Sequence, residues 1–156
     1  QIQENQGIKI NGKEKTIKNA LIKADMLLLS IGSNDLFYKL DNHPALTEEL
    51  YDRVDVLVED TEKLFELLRE YCKEDIFFTG YYNPYDSDYD ELIEYANTKL
   101  KKIAHKYEIN FIDIKSCVRG NINRREVKLS DKENQCVAKK IQNRMKEDLF
   151  EHRVEY

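Results

Sequence analysis

The chain has 156 residues, of which 41% are hydrophobic and 35% charged, and it carries a formal net charge of -5. This length and composition fit one domain with a hydrophobic core, so we expect residues 1–156 to form a single domain. The acidic balance argues against nucleic acid as a partner, because phosphate binding requires a basic face. No apolar run reaches about 18 residues, so we expect no transmembrane segment.

The cysteines are few and widely spaced. Cys72, Cys117 and Cys136 include no CxxC pair, which indicates neither a zinc site nor a disulfide framework, and we expect isolated thiols. No residue set indicates a metal, a nucleotide or another cofactor. The chain begins with Gln1 rather than methionine. We therefore expect a processed, excised or partly represented product that is soluble, and extracytoplasmic if a signal segment was removed.

The first strong strand signal is a near-continuous apolar run at residues 26–31, typical of a parallel strand buried on both faces. It stops at the polar turn Gly-Ser-Asn-Asp, residues 32–35. Thr47 then is a plausible N-cap of a long amphipathic helix that ends near Cys72. Helix and strand signals alternate from here onward.

Two further strands follow, each with its own helix. Residues 76–79 predict the second strand, and the turn that closes it contains Gly80, Tyr82 and Asn83. Ser87 can cap the next helix, and residues 111–114 predict the third strand.

The last helix begins at a capping box. In residues 130–133, Ser130 and Glu133 have the spacing of that motif, and apolar residues follow on one face.

The order strand, helix, strand, helix, strand, helix predicts an α/β fold, specifically a flavodoxin-like three-layer α/β/α arrangement with a parallel sheet. Helical crossovers are right-handed, so the carboxyl ends of all three strands lie on one edge. Open α/β folds place their ligands at that edge. Residues 32–35, residues 80–84 and the loop after Ile114 are predicted to meet there.

A strand ending in G-x-N-D, a later strand ending in G-Y-Y-N-P and a third strand F-I-D resemble the SGNH hydrolases, also called GDSL lipases or acylhydrolases, of low-GC Gram-positive bacteria. The resemblance implies a serine nucleophile, a histidine base, an aspartate and an ester substrate. It implies that Asn34 is an oxyanion-hole donor, that Gly32 permits a sharp turn beneath it, and that Asp35 braces the loop. Ser33, Gly80, Tyr82 and Asn83 would support the pocket.

Two blocks of the family have no counterpart in the chain. The serine block and the block after it would lie upstream, because residues 1–5 resemble the segment that follows the second block. We therefore expect the first two strands of the family fold to lie upstream of residue 1.

The final D-x-x-H-P block is present in position but differs in residues. An ungapped alignment places Lys128 at the histidine and Arg125 at the aspartate. A lysine with a pKa of about 10.4 is protonated at neutral pH and cannot accept a proton from serine.

Other residues are weak substitutes for the missing base and nucleophile. His43 lies in an Asp-Asn-His-Pro stretch that resembles the family block with one residue missing, but it precedes the wrong helix. His105 and His152 lie in charged surroundings, and we expect all three histidines at the surface. Ser33 is next to Asn34 but lacks the nucleophile-elbow pattern.

Three functions remain open. The first is a catalytically degenerate SGNH hydrolase-like domain with a binding or assembly role. The second is a serine esterase or acylhydrolase that acts on lipid or carbohydrate esters, with its nucleophile on an upstream segment or a separate chain. The third is an unrelated flavodoxin-like binding module in which residues 32–35 are only a capped turn.

Two features predict contacts beyond the chain's own fold. Without the first two strands of the family, residues 26–31 become a sheet edge, and we expect a partner chain, a second copy or an upstream segment to cover it. The tyrosines that follow the second strand could line a groove for acyl or sugar groups, or could pack the loop against a helix.

Overall fold

The computed structural model describes residues 7–10, 13–41, 45–120 and 128–154. The first elements are a hairpin, β1 and β2, and two short helices, α1 and α2, none of which the sequence analysis predicted. In chain order the elements are β1 (Gly7–Ile10), β2 (Lys13–Thr16), α1 (Ile17–Ile22), β3 (Met26–Leu29), α2 (Ser33–Leu40), α3 (Glu48–Tyr71), β4 (Asp75–Thr79), α4 (Asp90–Lys106), β5 (Asn110–Ile112) and α5 (Asp131–Val154).

The central sheet contains three parallel strands in the order β3-β4-β5. Met26 is in register with Asp75, and Phe77 is in register with Asn110. The parallel arrangement places the three carboxyl ends on one edge, as predicted. The antiparallel β1–β2 hairpin forms a separate sheet.

Helices cover both faces of the central sheet. Side chains alternate along β4, so Ile76 and Phe78 join the core under α3 and α4, whereas Phe77 points to the other face. There Phe77, Ile112 and Ile114 pack under α5 through Val137, Ile141 and Met145. The fold is therefore a three-layer α/β/α arrangement with a parallel sheet, as predicted.

Helix starts agree with the sequence signals in two cases. α3 begins directly after Thr47, although the Thr47 side chain makes no capping hydrogen bond. The capping box before α5 is confirmed: the Ser130 N–H donates to Glu133 Oε2 (2.7 Å), and the Glu133 N–H donates to Ser130 Oγ (3.3 Å).

Ser87 as the cap of α4 is wrong. The carboxylate of Asp86, one residue earlier, accepts from the Asp88 N–H (3.1 Å), and residues 87–89 form a 3-10 turn before α4 begins.

The prediction that residues 26–31 are buried on both faces is also wrong. β3 ends at Leu29, and Met26 and Leu28 are 36% and 44% exposed. Both side chains lie on the face of the sheet that packs against α5. That helix covers this face at β4 and β5, and no described helix covers it at β3. β5 likewise ends at Ile112 instead of Ile114, which begins a 3-10 turn.

The expectation of isolated thiols holds only for Cys72, which is free and buried. Cys117 and Cys136 form a disulfide with a Cα–Cα distance of 5.5 Å across 19 residues of sequence. Cys117 ends the 3-10 turn after β5, and α5 packs back across β5, so the tertiary fold brings the two together. None of the described helices is long and apolar enough to cross a membrane.

Candidate functional site

Gly32 ends the short connection between β3, which ends at Leu29, and α2, which begins at Ser33. Gly32 is the N-cap of α2 and has a φ of 85°, in the left-handed region that favours glycine. A Cβ on Gly32 would overlap the Tyr81 hydroxyl and lie 3.3 Å from Tyr81 Cζ. Gly32 is therefore required both for the turn and for the approach of the Tyr81 ring.

The three residues after Gly32 form the first turn of α2. Ser33 is half-buried, whereas Asn34 and Asp35 are exposed. Within the described residues, the side-chain amide of Asn34 makes no hydrogen bond, so its donor is open to solvent at the carboxyl edge of the sheet. The Asp35 carboxylate likewise makes no described hydrogen bond that braces the loop.

Asp35 instead lines a groove of about 450 Å³ between α2 and α3. We call it the α2/α3 groove. Its floor is apolar, and both acidic and basic side chains border it. The lining residues are Asp35, Leu36, Lys39, Arg53, Val56, Leu57 and Asp60.

Gly80 follows β4 and is packed on both sides. Its N–H donates to the Ile112 carbonyl (2.9 Å), and a Cβ would lie 2.5 Å from Phe111 Cζ and 2.9 Å from Asn97 Oδ1. Gly80 thus permits close packing of β4, β5 and α4 and is not placed to contact a ligand.

Asn97 was missed by the sequence analysis. Its Oδ1 accepts from the Tyr81 N–H (2.7 Å), and its Nδ2 donates to the Tyr81 carbonyl (2.9 Å). These two bonds hold the start of the loop after β4. The one available signal was a polar residue on the apolar stripe of α4, between Ala96 and Leu100.

Asn83 is buried and committed to its own loop. Its Nδ2 donates to the Asp86 carbonyl (2.6 Å) and to Asp90 Oδ1 (2.8 Å), and its Oδ1 accepts from the Tyr85 N–H (2.9 Å). The amide therefore fixes the turn and leaves no donor for a ligand.

The tyrosines of this loop pack against α2. The Tyr82 and Phe37 rings have centroids 5.1 Å apart, and the Tyr85 hydroxyl lies 3.1 Å from the Phe37 carbonyl oxygen and 3.0 Å from Asp41 Oδ1. Tyr81, Tyr85 and Tyr89 are buried. The sequence allowed either a ligand groove or packing of the loop against a helix, and packing describes these three residues. Among the tyrosines of this loop, only Tyr82 is partly exposed.

The hydroxyl of Tyr81 is buried beneath Gly32 and has no hydrogen-bond partner among the described residues. Burial raises the pKa of Tyr81, and the negative charge of Asp35 raises it further. Thr61 lies near the Tyr81 hydroxyl and lowers the pKa of Tyr81 in part. The Thr61 hydroxyl donates its own proton to the Leu57 carbonyl (2.8 Å). Tyr81 therefore stays neutral at physiological pH and is not a general base.

Candidates for the catalytic base are Lys128, Arg125 and the three histidines. Lys128 is exposed and precedes the capping box of α5. Arg125, His43 and the side chain of His152 lie outside the described residues. His105 is exposed and borders a second cavity, of about 630 Å³, together with Asp75 and Asn110, the first residues of β4 and β5. This is the amino edge of the sheet, opposite Asn34, so His105 cannot serve a reaction at Asn34.

The described residues contain no group of three His, Cys, Asp or Glu side chains that could hold a metal ion. Neither a protein-family model nor a curated protein sequence matches the chain.

Proposed function

We propose that the chain is a catalytically degenerate SGNH hydrolase-like domain with a binding or assembly role. The observation that carries this proposal is the start of α5. Where the family has its histidine, this chain has the exposed Lys128, and the helix then begins at an ordinary capping box between Ser130 and Glu133. The helix start has a structural role there and offers no base.

Ester hydrolysis requires a nucleophile, a base and an oxyanion donor in one place. Asn34 offers the third of these, since its exposed amide lies in the first turn of α2, just after the left-handed Gly32. The chain has Lys128 and not a histidine at the position of the family's base, so the imidazole that would take the proton of a hydroxyl is missing there. A donor without a base supports recognition of a carbonyl or carboxylate oxygen without turnover.

The test is hydrolysis of a short-chain p-nitrophenyl ester by the full chain. We expect no release of p-nitrophenolate above the buffer rate, and no change with Asn34→Ala or with Asn143→Ala, an exposed asparagine of α5. Hydrolysis that Asn34→Ala abolishes and Asn143→Ala preserves would overturn the degenerate assignment.

Hydrolysis that depends on Asn34 would support the alternative function, a serine ester hydrolase for lipid or carbohydrate esters. Its nucleophile would come from an upstream segment or a separate chain. The observation that favours it is again Asn34. Its amide is not consumed by any described hydrogen bond, so an acyl oxygen could still be received there.

We also propose that the β3 edge receives a strand from a protein partner or a second copy of the chain. Among the described strands only β4 pairs with β3, residues 26–31 carry no charge, and Met26 and Leu28 are exposed. Such an edge associates readily with another strand.

Light scattering after size exclusion tests the edge. We expect the protein to associate at micromolar concentration, Leu28→Lys to dissociate it, and Val56→Lys, on exposed α3 surface, to leave the mass unchanged. A purely monomeric protein, or association that Leu28→Lys does not alter, would contradict this proposal.

A further inference from the structure

The last helix, α5, is packed less tightly than the other two long helices. α3 buries six side chains and α4 buries seven. Among the described side chains of α5, at residues 131–148, only Asp148 is buried. The apolar contact of α5 with the sheet consists of Val137, Ile141 and Met145, which follow at four-residue spacing and are all half-buried. Segments with few buried apolar contacts are the first to open in a folded protein.

The Cys117–Cys136 disulfide attaches this helix to the sheet covalently. Cys117 ends the 3-10 turn after β5, and Cys136 lies in the second turn of α5, next to Val137. A hydrogen bond from Arg144 Nη2 to Asn110 Oδ1 (2.6 Å) also joins α5 to β5. Because the apolar contact of α5 is narrow and half-buried, the disulfide is a main determinant of whether the helix stays on the sheet.

The disulfide is open to a reductant from one side. Cys117 is buried, whereas Cys136 is half-buried, so a thiol in solution reaches Cys136 first. The thiolate of a dithiol attacks Cys136 Sγ, which breaks the bond to Cys117 and leaves a thiolate on Cys117 that takes up a proton. The second thiol of the reagent then displaces Cys136 from the mixed disulfide. Two electrons and two protons pass to the protein, and the reagent leaves as a disulfide.

The surface of the sheet beneath α5 is apolar. Phe77, Ile112 and Ile114 pack under the helix. On the neighbouring strand, Leu28 is in register with Phe77 and is 44% exposed. Neighbouring strands lie about 4.8 Å apart, so Leu28 and Phe77 are adjacent on one face. Departure of α5 would therefore extend the exposed apolar surface from β3 across all three strands.

We propose that the Cys117–Cys136 disulfide is a redox-sensitive switch that controls the opening of α5. In the oxidised protein the helix is held on the sheet. In the reduced protein it opens while α3, α4 and the central sheet stay folded. Residues 118–130 still connect α5 to the rest of the chain, so reoxidation restores the closed form. The inference goes beyond the proposed binding role, because it depends neither on the Asn34 amide nor on strand addition at β3.

Amide hydrogen exchange, resolved by residue with NMR, tests the switch in the full chain with and without dithiothreitol. The disulfide closes a separation of 19 residues. A closed loop of this size disfavours opening by roughly a hundredfold, so protection of α5 amides should fall by about that factor on reduction. Amides of α3 and α4 should stay more strongly protected than those of α5 in the reduced protein.

Cysteine variants assign the effect to the disulfide. The double variant Cys117→Ser with Cys136→Ser should show the exchange pattern of the reduced protein without any reductant. Cys72→Ala removes the free, buried thiol and should leave the dependence of α5 exchange on reductant intact.

A second pair of variants tests whether α5 opens independently of α3. Val58→Ala removes a buried contact of α3, and Ile141→Ala removes a contact between α5 and the sheet. In the reduced protein, Val58→Ala should speed exchange of α3 amides by roughly tenfold and leave α5 amides unchanged, because α5 opens while α3 is still packed. Ile141→Ala should speed exchange of α5 amides by roughly tenfold.

Three results would overturn the inference. The first is equal protection of α5 amides in the oxidised and reduced original chain, a comparison that needs no variant to fold. The second is equal acceleration of α3 and α5 amides by Val58→Ala, which would show that α5 opens only when the whole domain unfolds. The third is loss of the redox dependence in Cys72→Ala. None of them affects the degenerate assignment, which the ester assay tests separately.

Discussion

Gly32→Ala should destabilise the protein through two separate effects. Alanine in the left-handed region costs roughly 1–2 kcal/mol, and the φ of Gly32 is 85°. Its Cβ would also overlap the Tyr81 hydroxyl, and overpacking of a core contact costs about 1–3 kcal/mol. The free energy of unfolding should therefore fall by about 2–5 kcal/mol.

Urea denaturation measures this loss. For a small protein the slope is about 1–3 kcal/mol per molar urea, so the midpoint should fall by roughly 1 M or more at an unchanged slope. Tyr81→Phe separates the two effects, because it removes the overlapping hydroxyl and leaves Cζ 3.3 Å from the new Cβ. Since that hydroxyl is buried without a hydrogen-bond partner, Tyr81→Phe alone should be neutral or stabilising by about 1 kcal/mol.

The double variant Gly32→Ala with Tyr81→Phe tests whether the overlap of the two residues contributes to the loss of stability. If the overlap is real, Gly32→Ala should cost about 1–2 kcal/mol less in the Tyr81→Phe background than in the original chain. Strict additivity would show that Tyr81 does not press on Gly32. A loss of less than about 0.5 kcal/mol for Gly32→Ala alone would refute the left-handed turn as well.

Reduction of the Cys117–Cys136 disulfide, which closes a separation of 19 residues, should lower the free energy of unfolding by about 3 kcal/mol. Urea denaturation with and without a phosphine reductant measures this loss of stability. The double variant Cys117→Ser with Cys136→Ser should remove the dependence on reductant. An equal urea midpoint for the original chain in both conditions would contradict the prediction. Burial raises the pKa of Tyr81 and Tyr85 above the ordinary value of 10.0, so their contribution to stability is complete below pH 10.0 and is lost as the pH rises toward the folded pKa. Stability should therefore fall as the pH rises above about 10, less steeply in Tyr81→Phe, and a flat profile there would show that these hydroxyls are solvated.

Local signals in the sequence were sufficient for the layered fold. The apolar spacing of residues 48–71 predicts α3 because a helix repeats every 3.6 residues, and five of its apolar side chains are buried. The Ser130 and Glu133 pair predicts a helix start because both hydrogen bonds lie within four residues. Gly32 predicts a sharp turn, since the left-handed backbone favours glycine.

The candidate site was less predictable from sequence. The sequence places Asn34 shortly after β3, but not in the first turn of a helix. The commitment of Asn83 to its own loop does not follow from the sequence either, because its acceptors are set by the path of residues 83–90. The role of Asn97 depends on the packing of α4 beside the loop after β4, which a local sequence pattern does not show.

The sequence by itself determined where strands and helices alternate, where α5 begins and where the chain turns at Gly32, because each depends on neighbours within a few residues. Tertiary structure decided the rest. An apolar run at β3 became a half-exposed edge because α5 covers only the far part of the sheet, and Cys117 met Cys136 because α5 packs across β5. Burial and pairing depend on residues distant in the chain, which a local pattern does not encode.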